Sequence, residues 1–201
     1  MLHFNRTHRQ LILIGASMNA PVNTTGKYTY REYQCFPDDG KRHEIIDGDH
    51  YMSPAPSTRH QTVSRHLQFK LYTQIELPKL GRVFNAPTDV ELAPHDIVQP
   101  DIFVVMNDRR RIILPKKVRG VPNLIIEILW ESNPVQDRVL KFEMYRRATV
   151  EEYWIVDPDE EIVEQWMLQA GIYQLVGKHH DSVQPQAIAN VRVDLLSVWE
   201  D

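Results

Sequence analysis

Two apolar segments, each interrupted by one acidic residue, constrain the fold of this chain most strongly. They are VQPDIFVVM (98–106) and NLIIEILWES (123–132), and both are rich in β-branched residues. Short apolar runs of this kind are typical of strands that are buried on both faces of a sheet. Asp101 and Glu127 lie within them, and burying an ionised carboxylate without a partner costs several kcal/mol. The two segments therefore predict neighbouring buried strands with a site that holds a cation.

The rest of the patterning predicts a mixed central sheet flanked by helices, in the α/β to α+β range. Thr29 and Glu32 form a capping box that predicts a short helix over 29–36. The Asp47-Gly48 pair predicts a hairpin over 43–53. Strands are further predicted over 82–92, 99–106, 123–129, 151–158, 161–168 and 171–177.

Two longer helices are predicted between these strands. The first runs from Ser57 or Thr58 to about Leu77, and its buried stripe is Val63, Leu67, Leu71 and Ile75. The second covers about 134–148, with Asn133 as N-cap and Pro134 at its first position.

Composition limits the classes of protein that this chain can belong to. The 201 residues are enough for one domain, and we expect it over 27–201, after a loosely ordered N-terminal extension over 1–26. The net charge of −4 means that any DNA contact must come from a local basic patch. The lone Cys35 forms no internal disulfide, which favours a reducing cytoplasm. No apolar run is long enough to span a bilayer, LILIGA (11–16) is too short for a signal peptide, and Met18 is an alternative start.

The acidic residues suggest divalent-metal chemistry. Mg²⁺ is bound through one or two carboxylates together with waters and substrate phosphate oxygens. Lys141, four residues after Asp137 on the second long helix, is the nearest amine that could assist, and Glu44 is a third carboxylate. The residues alone leave another interpretation open, in which Glu127 and Lys141 form a structural salt bridge and Asp101 caps a backbone turn after Pro100.

Basic and aromatic residues add weaker signals. The segment DRRRIILPKKVRG (108–120) is either a DNA-phosphate contact or a solvated hairpin loop. Its candidate DNA contacts are Arg109, Arg110, Arg111, Lys116 and Lys117. His60 is either a substrate contact or a capping or core histidine. His179, His180 and Asp181 are expected in a surface loop, and Tyr153, Trp154 and Trp166 in the core or an interface.

Five ordered blocks of the chain resemble the Uma family of putative endonucleases, which belongs to the restriction-endonuclease-like PD-(D/E)XK superfamily. The resemblance covers about residues 27–198. The blocks are HEIIDGDHYMSPAPSTRHQ (43–61), VQPDIFVV (98–105), GVPNLIIEIL (120–129), the D-x3-K-x3-Y pattern of DRVLKFEMY (137–145), and VEEYWIVDP (150–158).

The resemblance implies a Mg²⁺- or Mn²⁺-dependent endonuclease that hydrolyses DNA phosphodiester bonds. Asp101 and Glu127 would then bind the metal, Lys141 would be a catalytic lysine displaced from strand to helix, and Glu44 would complete the site. Cutting both strands of DNA usually needs two sites, which favours a homodimer.

Two departures from the family pattern bear on activity. Trp130-Glu131 replaces the usual Ser-Pro pair after the strand glutamate, and Thr149 replaces a glycine at a helix end, where a left-handed backbone is common. A catalytically weak DNA-binding or scaffold protein with the same fold therefore remains open. So does a metal-dependent hydrolase of another phosphate ester.

Overall fold

The computed structural model describes residues 26–53, 55–129 and 136–200. The expectations for the extension before residue 26, for Trp130 and for the helix start at Asn133 and Pro134 lie outside these residues. Within the described chain there are four α-helices: α1 (Tyr30–Tyr33), α2 (Thr58–Leu71), α3 (Phe142–Arg147) and α4 (Leu196–Trp199). Two π-helical turns accompany them, Tyr72–Glu76 after α2 and Gln136–Lys141 before α3.

The same described residues form thirteen strands. They are β1 (Arg42–Ile46), β2 (Asp49–Ser53), β3 (Gly81–Asn85), β4 (Val90–Ala93), β5 (Asp96–Val98), β6 (Ile102–Met106), β7 (Val118–Arg119), β8 (Leu124–Ile128), β9 (Glu152–Asp157), β10 (Ile162–Gln169), β11 (Ile172–His179), β12 (Ser182–Val183) and β13 (Val193–Asp194).

A mixed six-stranded sheet forms the centre of the protein, in the order β11-β10-β9-β8-β6-β3. Strands β8 and β9 are parallel, whereas the other pairs are antiparallel. A parallel pair needs a crossover connection, and the segment with α3 supplies it. The predicted mixed sheet with helices is therefore confirmed.

A five-stranded sheet with the order β2-β1-β5-β4-β7, which the sequence patterning did not predict, lies beside the central one. The strand predicted over 82–92 divides into β3 and β4, which belong to different sheets. Pro87 lies at the division, and a proline has no N–H for a strand ladder. Pro100 similarly delays the strand predicted from residue 99, so that Asp101 precedes β6.

The two faces of the six-stranded sheet are covered differently. Helix α2 covers one face, and its predicted stripe of Val63, Leu67, Leu71 and Ile75 is fully buried there. On the other face, Ile125 of β8 packs in one cluster with Tyr145 of α3 and with Val90 and Val98 of the five-stranded sheet. The candidate functional residues described below lie where the two sheets meet.

Three local predictions, at a helix start, a hairpin turn and a helix end, agree with the structure. Thr29 and Glu32 form the expected capping box at α1. Asp47 and Gly48 both have positive φ angles, of 50° and 81°, at the turn between β1 and β2. Thr149 follows α3 with a φ of +61°, so the left-handed position expected at this helix end is present and is occupied by a β-branched residue.

Candidate functional site

Three buried acidic side chains and one lysine meet between the two sheets. The Lys141 Nζ lies 3.0 Å from Oε1 of Glu127 on β8 and 3.2 Å from Oε2 of Glu44 on β1. These side chains are at most 4% exposed. Each sheet therefore contributes one carboxylate to the same amine, which comes from the crossover that joins β8 to β9.

Tyr145 is the second partner of Glu127. Its hydroxyl donates to Glu127 Oε1 at 2.5 Å. Burial raises the pKa of Tyr145, and the neighbouring Glu127 raises it further, so the phenol remains a hydrogen-bond donor. Tyr145 is the last residue of the D-x3-K-x3-Y pattern, in which one helical turn separates the lysine from the tyrosine.

Asp101 completes the set of acids and is 3% exposed. Its Oδ1 accepts from Arg42 Nη1 at 2.9 Å, and its Oδ2 accepts from the Ile128 backbone N–H at 2.9 Å and pairs with His60 Nε2 at 3.0 Å. Burial alone would raise the pKa of Asp101, but the His60 hydrogen bond and the charges of Arg42 and Lys141 lower it below its usual value. The carboxylate is thus held in its ionised form.

Sequence reasoning missed Arg42 and left the role of His60 open. Arg42 is on β1 two residues before Glu44, so the two side chains share a face of the strand. Burial would lower the pKa of Arg42, but Asp101, Glu44 and Glu127 raise it, so it remains a cation. His60 lies three residues before Val63 on the buried stripe of α2, and this helical spacing was the available signal. Its Nδ1 atom is buried and has no hydrogen-bond partner in the part of the chain that the structure describes.

The structure brings together the four predicted catalytic residues, Glu44, Asp101, Glu127 and Lys141. The Glu127–Lys141 salt bridge of the alternative interpretation is also present. The other half of that alternative is wrong, because Asp101 caps the N–H of Ile128 across the sheet rather than a turn after Pro100. The side chain of Asp137 lies outside the description.

The donor atoms of this cluster suit a hard divalent cation, because they are carboxylate oxygens. Glu44 Oε2 is in addition buried and has no hydrogen-bond partner among the described residues, although Lys141 Nζ lies 3.2 Å away. Across the described part of the chain, no three acidic, histidine or cysteine side chains already form a cage for a metal ion. The carboxylates that could contribute to a metal site are therefore those of Glu44, Asp101 and Glu127.

The basic segment over 108–120 forms a 3-10 helix, Asn107–Ile112, followed by the short strand β7. Arg109 forms an ion pair with Glu151 at 2.8 Å. Lys117 forms an ion pair with Glu91, and its amine lies over the ring of Tyr30. The remaining candidate DNA contacts are exposed, namely Arg110, Arg111 and Lys116.

Other sequence expectations have clear outcomes. Tyr153 and Trp154 are fully buried, as expected for core residues. His179 ends strand β11, so placing it in a surface loop was wrong, whereas His180 and Asp181 follow the strand and are exposed. No helix in the described ranges has the length and apolar character required to cross a bilayer.

Comparisons with known proteins agree with the fold. The Uma2 family model, described as "Putative restriction endonuclease", matches residues 30–196. A crystal structure from Anabaena variabilis, described as "a putative nuclease belonging to DUF820", superposes with a TM-score of 0.70 at 18% identity. The match covers 86% of this chain and 97% of the Anabaena chain, and at that identity it establishes a common fold. No curated protein matches the chain.

Proposed function

Because the chain belongs to the Uma2 family of putative restriction endonucleases, we propose that it is a divalent-metal-dependent endonuclease that hydrolyses DNA phosphodiester bonds. The observation that carries this proposal is the convergence of the Glu44 and Glu127 carboxylates on Lys141, with Asp101 beside them. Buried acids with a cation between them are expensive to maintain, which a catalytic role would explain.

In the proposed site, Asp101 and Glu127 hold a Mg²⁺ or Mn²⁺ ion. When bound, the ion would activate water and neutralise charge that develops on the phosphate. Arg42 keeps Asp101 ionised and, with His60, orients its carboxylate. Lys141 places a positive charge beside the two acids, where it would stabilise the negative transition state.

Glu44 and Tyr145 are positioning residues in this scheme. Glu44 holds the Lys141 amine from the five-stranded sheet, and Tyr145 fixes Glu127 Oε1 from α3. The exposed side chains of Arg110, Arg111 and Lys116 would contact DNA phosphates, because they form no ion pairs with other described residues. A homodimer would allow both strands to be cut.

Plasmid nicking and linearisation in Mg²⁺ or Mn²⁺ test the proposal. We expect Asp101→Asn and Glu127→Gln to lower the cleavage rate by about 10²- to 10³-fold, as the loss of one aligned charge-stabilising group does in other enzymes. Glu152→Gln is the matched control, since Glu152 is an equally buried acid on the adjacent strand with no contact to the cluster. Equal activity in the two site variants and the control would refute this site.

A DNA-binding protein without nuclease activity is the second candidate. One observation favours it: Arg42, His60 and Lys141 already pair with the three acids, so the cluster is stable without a metal ion. Salt-dependent DNA binding without cleavage in either metal would support this candidate. Heat released on Mg²⁺ titration, and lost in Asp101→Asn, would contradict it.

A further inference from the structure

An open pocket of about 460 Å³ lies beside Gln99, two residues before Asp101. Phe84, Asp89, Gln99 and Lys116 are among the residues that line it. Its volume is within the range of about 300–1,000 Å³ that is usual for small-ligand sites. Of these four residues, Lys116 was assigned above to a DNA phosphate, whereas Phe84, Asp89 and Gln99 have no role in the proposed site.

Asp89 is held rigidly at the wall of the pocket. Its Oδ1 accepts from the Tyr33 hydroxyl at 2.6 Å and from Gln99 Nε2 at 3.0 Å. Gln99 Nε2 also donates to the Tyr33 oxygen at 3.0 Å. The pocket wall is therefore built by hydrogen bonds between α1, the β3–β4 connection and the segment after β5.

Asp89 and Gln99 can each accept a further hydrogen bond. The second Asp89 oxygen, Oδ2, accepts from the Tyr30 hydroxyl at a long 3.5 Å, and a carboxylate oxygen has two lone-pair sites. The side-chain oxygen of Gln99 makes no hydrogen bond within the described chain. Two acceptors on one wall fit a planar ligand edge that carries N–H donors, such as the exocyclic amino group of a nucleobase.

Aromatic and basic side chains complete the chemistry of the pocket. The half-buried ring of Phe84 is stacked on Phe103 with centroids 5.0 Å apart, which fixes its orientation. Aromatic faces of this kind stack on unpaired bases with little regard to sequence. Lys116 is exposed at the rim and forms no ion pair with another described residue, so it can meet a phosphate.

The pocket is connected directly to the proposed catalytic acids. The backbone N–H of Gln99 donates to Glu44 Oε1 at 2.9 Å. Asp101 follows Gln99 by two residues, so their α-carbons are at most about 7 Å apart. A base bound at Gln99 would therefore lie within about one nucleotide of the phosphate at the acid cluster.

We propose that this pocket receives one unpaired nucleobase with an exocyclic amino group, next to the phosphodiester that is cut. This inference rests on the proposed nuclease function and specifies its substrate class: DNA with an unpaired or extruded nucleotide rather than an uninterrupted duplex. Extrusion is least costly where a base is already unpaired, and the Asp89 acceptor distinguishes cytosine from thymine, which presents O4 in place of the amino group.

The test is equilibrium binding of fluorescein-labelled duplexes in EDTA, where no cleavage occurs. Three duplexes are compared: fully paired, with one bulged cytidine, and with one bulged thymidine. We expect about tenfold tighter binding of the cytidine bulge than of the other two, as one well-formed base contact provides. Equal affinity for all three would overturn the proposal.

Asp89→Asn tests the assigned acceptor, because it keeps an oxygen for Tyr33 but presents an amide N–H₂ to the base. We expect the cytidine preference to disappear or to reverse toward thymidine, whereas Asp159→Asn, an exposed control, retains it. If Asp89→Asn fails to fold, wild-type protein with 2-aminopurine at the bulge serves instead. Quenching on binding supports stacking in the pocket, and unchanged fluorescence contradicts it.

Cleavage in Mg²⁺ separates this inference from the proposed function. A protein that cuts plasmid but shows no bulge preference overturns the pocket and leaves the nuclease proposal intact. A bulge preference without cleavage supports the pocket and refutes the nuclease proposal.

Discussion

Two adjacent parallel strands each bury one carboxylate, on opposite faces of the same sheet, and their partners differ in kind. Glu127 of β8 meets the charged Lys141 and the hydroxyl of Tyr145. Glu152 of β9 accepts from three neutral donors: Trp154 Nε1 at 2.7 Å, Gln165 Nε2 at 2.7 Å and the Ala187 N–H at 2.8 Å. Burial is thus common to both acids, and what distinguishes Glu127 is a cation that it shares with Glu44.

The largest expected effect follows from removing the lysine that pairs with Glu127. Lys141→Met keeps the length of the side chain but leaves Glu44 and Glu127 buried beside each other without their cation. We expect a loss of about 3–5 kcal/mol in the free energy of unfolding, measured by urea denaturation. Lys27→Met, which removes the exposed pair with Asp47, should change stability little. Similar stability of the two variants would mean that Lys141 does not compensate the acids.

Lowering the pH should change the contributions of Asp101 and Glu152 to stability in opposite directions. Burial opposes ionisation of Asp101, but His60, Arg42 and Lys141 bring its folded pKa below the ordinary 3.8. Its contribution to stability is therefore present above pH 3.8 and is lost as the pH falls toward the folded pKa. Burial raises the pKa of Glu152 above 4.5 despite its three donors, so its contribution is present below that pH and is lost as the pH rises.

Thermal unfolding of Asp101→Asn and Glu152→Gln across acidic and neutral pH measures this difference. The stability gap between wild type and Asp101→Asn should shrink as the pH falls. The gap for Glu152→Gln should shrink as the pH rises. If the stability gap changed with pH in the same direction for both variants, the two acids would titrate alike, and the proposed difference between Asp101 and Glu152 would be wrong.

A smaller effect is expected from Glu152→Gln at a single neutral pH. The new amide can retain the hydrogen bonds from Trp154 and Gln165, but its N–H₂ group then faces the Ala187 N–H, which loses its acceptor. An unsatisfied buried donor costs about 1–3 kcal/mol. Urea denaturation should register this loss, and Glu160→Gln, the same change at an exposed position, should not. Unchanged stability of Glu152→Gln would argue against well-formed hydrogen bonds from Trp154, Gln165 and Ala187 to Glu152.

The smallest expected effect concerns the helix that presents Lys141. The Thr149 N–H donates to the Arg146 carbonyl and the Val150 N–H to the Tyr145 carbonyl, which closes the helix in the geometry that favours glycine. Thr149→Gly should therefore stabilise the protein by about 0.5–1 kcal/mol, because it removes the strain of a side chain in a left-handed backbone. Thr149→Ala retains a Cβ and should not give this gain. Equal Tm values for the glycine variant and wild type would show that Thr149 is not strained.

Local chemistry explains which elements the sequence predicted well. The Thr29–Glu32 capping box and the Asp47-Gly48 turn involve residues at most three apart, and the buried stripe of α2 follows helical spacing. Asp101 and Glu127 were selected because acids in apolar strands are unusual, and the family resemblance suggested roles for them and for Glu44 and Lys141, which stay predictions.

The remaining features depend on residues far apart in the chain. Glu152 lies in a strand that was predicted correctly, yet its pattern does not differ from that of Glu127, because Gln165 and Ala187 become its partners only in the folded protein. Arg42 reaches Asp101 across 59 residues. The division of the strands between two sheets likewise depends on long-range pairing, such as β1 with β5, which periodicity does not encode.

The shared contact of Glu44 and Glu127 with Lys141 also has a consequence for biosynthesis. One acid belongs to each sheet, and the lysine follows both in sequence, so a partly made or partly unfolded chain contains no assembled site. Separation of the sheets should therefore abolish cleavage before the six-stranded core opens, which cleavage assays and hydrogen exchange at the same denaturant concentrations would measure together. A chain that cuts DNA would in this way remain harmless until its folding is complete.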